Sequence, residues 1–146
     1  MQKIIDRSFF IIKPEAFAER KKIISIINGN PDLSVTRTKT IRLSEADIDT
    51  IYLDDIGTPL LKAIKMHLSG KTVLAGIAEG PDAVNRLRNV CGDKADPKLC
   101  GKKTIRRIFG LPDPIMYCGQ KFFLNAIHSA IKSEAEISLD WFYNQK

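Results

Sequence analysis

The chain holds two histidines. One of them, His128, closes the apolar stretch FFLNAIH, three residues after Asn125 and directly before Ser129. A histidine alone at the end of an apolar stretch is ordinarily structural, and its neighbours are what mark this one. Lys13 closes another apolar stretch, SFFIIKP, and between the two lies KLCGKKTIRRIFG, with Lys98, Lys102, Lys103, Arg106 and Arg107. Any single cation of such a run belongs by default to a solvated face. This run, however, is broken by glycines, sits in the longest loop and precedes the histidine segment. A neutral imidazole is a good nucleophile near pH 7, because its unperturbed pKa is about 6.5. Arginine offers a planar fork for phosphate oxygens and lysine a compact charge. The combination suits an anionic reactant. The GKKT within the run is not a Walker A loop, since Asp96 stands where that motif needs its first glycine. His67, in KMHLSG, reads as a surface or capping histidine.

The elements that would position these residues follow from the apolar pattern. Residues 8–14 read as a buried strand ended by Pro14, and PEAFAERKKIISIING as a helix with Pro14 in its first turn. LSVTRTKTIRL alternates as a half-exposed strand. Ser44, with Asp47 three residues on, opens a helix in the manner of a capping box. A second short helix is expected over 58–70, an apolar strand over 71–80 and a helix over 81–92. Residues 93–121 read as irregular, FFLNAIH as the last strand and SEAEISLDWFY as the last helix. The order gives a split βαβ pattern and predicts an α+β fold: a ferredoxin-like βαββαβ sandwich, a four-stranded antiparallel sheet with helices packed on one face.

Bulk properties agree with one domain over residues 1–146. Apolar residues make up 44% and charged residues 27%, a globular balance. The net charge of +6 implies an anionic partner: a nucleotide, nucleic acid or acidic membrane. No apolar run reaches the length of a membrane span and no secretory signal opens the chain, so a cytoplasmic protein without a membrane partner is expected. Cys91, Cys100 and Cys118 form no CxxC pair, which argues against a disulfide framework and a structural zinc site.

Taken together, FFIIKPEAF, IAEGPDAV, TIRRIFG, NAIHSA and the closing ISLDWF resemble the nucleoside diphosphate kinase family, over roughly residues 7–142. The resemblance implies transfer of a γ-phosphoryl group from a nucleoside triphosphate to a nucleoside diphosphate by a ping-pong route through a phosphohistidine. It implies His128 as nucleophile, Glu136 as the carboxylate that orients the imidazole, and Tyr52 near the phosphorylated ring. Lys13 and Asn125 would contact sugar and phosphate, Arg88 and Arg106 would hold phosphates, and Leu60 would occupy the base platform. Mg²⁺ would arrive with the nucleotide, with no protein metal ligands; Asp54 and Asp55 either touch its water shell or are solvated helix-end acids. Nucleoside di- and triphosphates would be the partners, and a homo-oligomer the assembly.

The chain departs from the family pattern in four places. Ala130 replaces the serine two residues beyond the histidine, with Ser129 adjacent. Leu60 replaces a base-stacking phenylalanine. Ala95 replaces a phosphate-contacting threonine. The interval from Arg106 to Asn125 is also several residues longer than the family's. The alternative reading is a catalytically weak relative that binds nucleotide or nucleic acid as a regulatory module.

Overall fold

The computed structural model describes residues 6–145. Strand β1 (Asp6–Ile12) leads through a 3-10 segment (Pro14–Glu19) into α1 (Arg20–Asn28) and β2 (Ser34–Arg42). Next come α2 (Glu45–Ile51), a 3-10 turn (Leu53–Asp55), α3 (Pro59–Leu68), β3 (Thr72–Gly80) and α4 (Ala83–Cys91). A 3-10 turn (Pro97–Leu99) and α5 (Ile105–Phe109) precede a hairpin of β4 (Ile115–Tyr117) and β5 (Gln120–Phe122), then β6 (Ile127–Ser129) and α6 (Ala135–Tyr143). The main sheet runs β2-β3-β1-β6 with every neighbouring pair antiparallel. That is the expected α+β sheet.

Helices cover both faces of the sheet, where the sequence reading expected one. Phe9, Phe10, Ile11 and Ile12 on β1 are all fully buried, and successive strand residues point to opposite faces. Phe9 and Ile11 pack with Ile48, Ile64, Leu68 and Phe142 from α2, α3 and α6. Phe10 and Ile12 pack with Ile23, Ile27 and Leu87 from α1 and α4. An unbroken apolar run on a central strand requires both layers. Gly76 on β3 makes room on the α1/α4 side, because a Cβ there would lie 2.3 Å from the Phe10 ring.

Local signals behave as the sequence reading expected. Ser44 Oγ accepts the Asp47 N–H (3.1 Å) and Asp47 Oδ2 accepts the Ser44 N–H (2.8 Å), a complete capping box. The Asp47 carboxylate also accepts Trp141 Nε1–H (2.9 Å), which ties α6 to α2.

Two further expectations fail. The segment 93–121 is not irregular throughout, since it contains α5 and the β4–β5 hairpin. Cys118 and Gly119 turn that hairpin with φ values of 49° and 78°, the positive pair a tight hairpin turn demands. The last strand is also shorter and later than FFLNAIH. Phe122 ends β5, and only Ile127–Ser129 pairs with β1.

Candidate active site

Lys13, Tyr52, Leu60, Arg88, Arg106, Asn125 and His128 line one cavity of about 400 Å³. Lys13 follows β1, Arg88 lies on α4, Arg106 on α5 and His128 on β6, so the sheet edge and two helices converge there. Its wall combines the cations Lys13, Arg88 and Arg106 with the apolar side chains of Leu60, Ile64, Phe122 and Phe123, and Lys13 Nζ lies 5.4 Å from the Phe122 ring centroid.

The N-x-x-H spacing needs an irregular backbone to work. In a straight strand, residues three apart point to opposite faces. Here Ala126 sits at φ 75°, and the Ile127 N–H donates to the Asn125 carbonyl at 2.8 Å, closing a left-handed three-residue turn. That reversal lets Asn125 and His128 share the cavity. A non-glycine residue in this region stores about 1–3 kcal/mol, held only where its surroundings over-determine it. The neighbours do so. The Ala126 carbonyl accepts Lys13 N–H (2.8 Å) and the Ala126 N–H donates to Glu15 Oε2 (3.1 Å).

Lys13 Nζ donates to Asn125 Oδ1 at 2.7 Å, and Asn125 Nδ2 donates to the Ala95 carbonyl at 3.0 Å. Arg106 is anchored by backbone carbonyls: Nε (3.1 Å) and Nη2 (3.0 Å) donate to Ile127, and Nη1 donates to Lys94 at 2.8 Å. One arginine therefore braces β6 beside His128 and carries charge into the cavity.

The electrostatics keep the imidazole neutral. Burial lowers the His128 pKa well below its ordinary value, and Lys13, Arg106 and Arg88 push it further the same way. Burial also lowers Lys13 to about 8, opposed by Glu15 and assisted by Arg106. Burial raises the Tyr52 phenol, so it stays protonated. Its ring centroid is 4.4 Å from that of His128.

Glu136 does not reach the imidazole. It is exposed on α6 and absent from the cavity wall. The buried glutamate is Glu134, which holds the N-cap position of α6, while Glu136 in the first turn faces outward. Glu134 lines the cavity and accepts the Asp54 N–H at 3.2 Å, and burial raises its pKa. His128 Nε2 is buried with no hydrogen-bond partner among the described residues. That leaves Nδ1 as the nitrogen available to a reactant in the cavity. Asp54 and Asp55 line the rim beside Glu134, but no group of His, Cys, Asp and Glu side chains among the described residues could by itself hold a metal ion.

The departures at Leu60, Ser129 and Ala130 resolve differently. Leu60 stands in the cavity wall, 37% exposed, at the start of α3. Ser129 lines the cavity, and its buried hydroxyl has no hydrogen-bond partner among the described residues. Ala130 is fully buried in the core that contains Phe9 and Trp141. A hydroxyl placed at 130 would enter that core, where burying one unbonded costs about 1–3 kcal/mol. Ala130→Ser is therefore expected to lower the melting temperature without raising kcat. Ser129→Ala is expected to lower kcat by up to about 10²-fold with KM nearly unchanged, as for a donor used mainly in the transition state. A faster Ala130→Ser enzyme beside a fully active Ser129→Ala enzyme would reverse this assignment.

Sequence reasoning named Ser129 only as the hydroxyl adjacent to Ala130, and it missed Glu134, Phe122 and Phe123 as cavity residues, and Glu15 and His67 beneath it. Only Glu134 left a signal, as the alternative glutamate of SEAEIS. His67, read as a surface or capping residue, is instead mostly buried and bonded to Glu15.

The nucleoside diphosphate kinase family matches residues 6–146. Nucleoside diphosphate kinase of Methylobacterium nodulans is 27% identical over 144 residues, covering 97% of this chain and 96% of that protein. That of Helicobacter pylori strain P12 is 34% identical over 105 residues, covering 70% of this chain and 75% of that protein. Among solved structures, a transition-state mimic of the Borrelia burgdorferi nucleoside diphosphate kinase with bound vanadate and ADP superposes with a TM-score of 0.79 at 18% identity, covering 97% of this chain and 88% of that one. The Aquifex aeolicus nucleoside diphosphate kinase superposes with a TM-score of 0.76 at 22% identity, covering 95% of each chain. At these identities the structures establish a shared fold.

Proposed function

The chain belongs to the nucleoside diphosphate kinase family, and from that premise we propose that it is a phosphotransferase working in two half-reactions through His128. A nucleoside triphosphate enters with its phosphates toward Lys13, Arg88 and Arg106. The His128 Nδ1 lone pair attacks the γ-phosphorus, the bond to the bridging oxygen breaks, and the diphosphate leaves with that electron pair. A second diphosphate then takes the phosphoryl group by the reverse displacement. The observation that carries this reading is the neutral, buried imidazole at a cavity where three cations converge. Lys13, Arg88 and Arg106 keep the imidazole unprotonated, and their charge matches that on the equatorial oxygens of the transferred group.

Mg²⁺ fits this site as a companion of the nucleotide: Asp54 and Asp55 would face its water shell, and it would neutralise charge on the phosphate oxygens. Among the described residues no helix is long and apolar enough to cross a membrane. Self-association as a homo-oligomer belongs to the same reading. It is supported by the exposed Leu99, Ile108 and Leu111 on the segment leading to the hairpin.

The test is incubation with γ-labelled ATP. The protein is expected to take up an acid-labile, base-stable label that an added nucleoside diphosphate discharges as triphosphate. Absence of label, or label that a diphosphate leaves in place, would overturn the two-step route.

The base end yields a separate expectation. Leu60 offers no π-face, whereas Phe123 is an aromatic ring in the cavity wall, with Lys121 Nζ 5.6 Å from its centroid. Stacking a base on an aromatic side chain is worth about 1–3 kcal/mol. Phe123→Ala is expected to raise KM for nucleotides about tenfold, since each 1.4 kcal/mol is a factor of ten. An unchanged KM would move the base elsewhere.

A further inference from the structure

Beneath the phosphoryl site lies a buried chain of polar contacts that transfer itself does not use. It begins on the hairpin, where Tyr117 Oη is 3.3 Å from His67 Nδ1. The His67 ring packs against Phe122, with centroids 5.0 Å apart. His67 Nε2 is 2.8 Å from Glu15 Oε1, and the two side chains are 13% and 7% exposed. A carboxylate only accepts, so Nε2 carries the proton. The other oxygen of Glu15 accepts the Ala126 N–H at 3.1 Å, at the left-handed turn that brings Asn125 and His128 to one cavity.

We propose that His67 and Glu15 are positioning residues for the phosphoryl site: His67 fixes the Glu15 carboxylate, and the carboxylate holds the Ala126 turn and sustains the charge of Lys13. The inference rests on the phosphoryl-transfer reading above. Three facts converge on it. Ala126 is not glycine, so its conformation must be held from outside. Its N–H points at a carboxylate that is itself clamped. Lys13 lies two residues before that carboxylate in the chain, and its own N–H bonds the Ala126 carbonyl at 2.8 Å.

The charges around Lys13 set the sign of a pH test. Arg106 from α5, Arg88 from α4 and His128 from β6 share its cavity, and Glu15 is the carboxylate that opposes them. Burial lowers Lys13 to about 8 while Glu15 raises it. Removing the Glu15 charge therefore lets the Lys13 pKa fall further, and the ammonium is lost at a lower pH. The alkaline fall in phosphate binding should move down in pH with it.

The experiment compares the full-length wild type with Glu15→Gln, His67→Phe and His67→Gln. Two readouts are taken: the rate of labelling by γ-labelled ATP, and the affinity for ADP across pH. His67→Phe keeps the ring but loses the donor, and it is expected to slow labelling by up to about 10²-fold, as a small misplacement of reacting groups does. His67→Gln keeps a donor and is expected to restore most of that rate. Glu15→Gln is expected to shift the alkaline limb of ADP binding to lower pH, which a merely structural role would not do. Equal labelling rates in His67→Phe and the wild type, or no rescue by His67→Gln, would overturn the role of His67. An unshifted limb in Glu15→Gln would overturn that of Glu15. ADP affinity reads the Lys13 limb without any transfer. A protein that binds ADP but takes no label therefore fails the two-step route alone, and the binding limb, compared between wild type, Glu15→Gln and His67→Phe, still decides this inference.

Discussion

His128→Ala should leave a folded protein that binds nucleotide but neither takes up label from γ-labelled ATP nor exchanges phosphate between nucleotides. The loss should be on the order of 10⁴-fold or more, because removing the nucleophile from a set of groups that act as a unit removes nearly all of their joint effect. The fold should survive. His128 pairs through its backbone with Ile11 on β1, and among the described residues its Nε2 makes no hydrogen bond that a deletion would break. Nucleotide affinity should change little, since Lys13, Arg88 and Arg106 supply the charge. The pH profile of the wild type adds a second check. The histidine is neutral well below its ordinary range, so labelling should hold its rate as pH falls through 6.5. An acid limb centred on 6.5 would show an imidazole that its cations do not perturb. Persistent exchange in His128→Ala would place the transfer on another group or make it direct between nucleotides.

How far the site could be read in advance depends on what carried the information. Seven of the eight expected site residues meet in one cavity, because they were carried over position by position from motifs whose order and spacing the chain keeps, with Lys13 marked besides by the Pro14 that ends its strand. Glu136 failed because two glutamates two apart on a helix look equivalent in a sequence, and only packing selects which faces inward. The same holds for Ser129 and Ala130. A one-residue shift flips a strand residue to the other face, and the register of β6 is set by the turn at Ala126, which no residue type announced. The hairpin was hidden because its strands are three residues each and its turn is Cys-Gly, not the usual Asn-Gly or Asp-Gly. Its arrival brings Gln120, Lys121, Phe122 and Phe123 to the cavity and Tyr117 to His67, so the most consequential part of the site was the part with the weakest sequence signal.

Lys13→Met is expected to lower the rate of labelling by about 10³-fold, near the upper effect of removing one preorganised electrostatic group. Methionine keeps the length of the side chain and fills the same buried volume, so the substitution tests charge and hydrogen bonding more than packing. The pH dependence makes the assignment sharp. Lys13 is charged below about 8 and neutral above it, against an ordinary value of 10.5. Wild-type activity should therefore fall as pH rises through 8, and in Lys13→Met that limb should be missing from the residual activity. Stability moves the opposite way. Between 8 and 10.5 the unfolded chain binds the lysine proton and the folded chain does not, so the folded state gains on raising pH, by about 3 kcal/mol across the window. The gain is the relief of burying an ammonium, fully present as a cost below 8 and gone above 10.5. Lys13→Met removes that cost at all pH values but leaves Asn125 Oδ1 without its donor, so at pH 7 the two effects oppose each other. What should vanish is the slope. Denaturant unfolding across pH 7 to 10.5 should show stability of the wild type rising relative to that of the variant, while its relative activity falls. A difference curve flat in pH would mean that Lys13 titrates as an ordinary surface lysine, and its part in the site would then have to be carried by Arg88 and Arg106 alone.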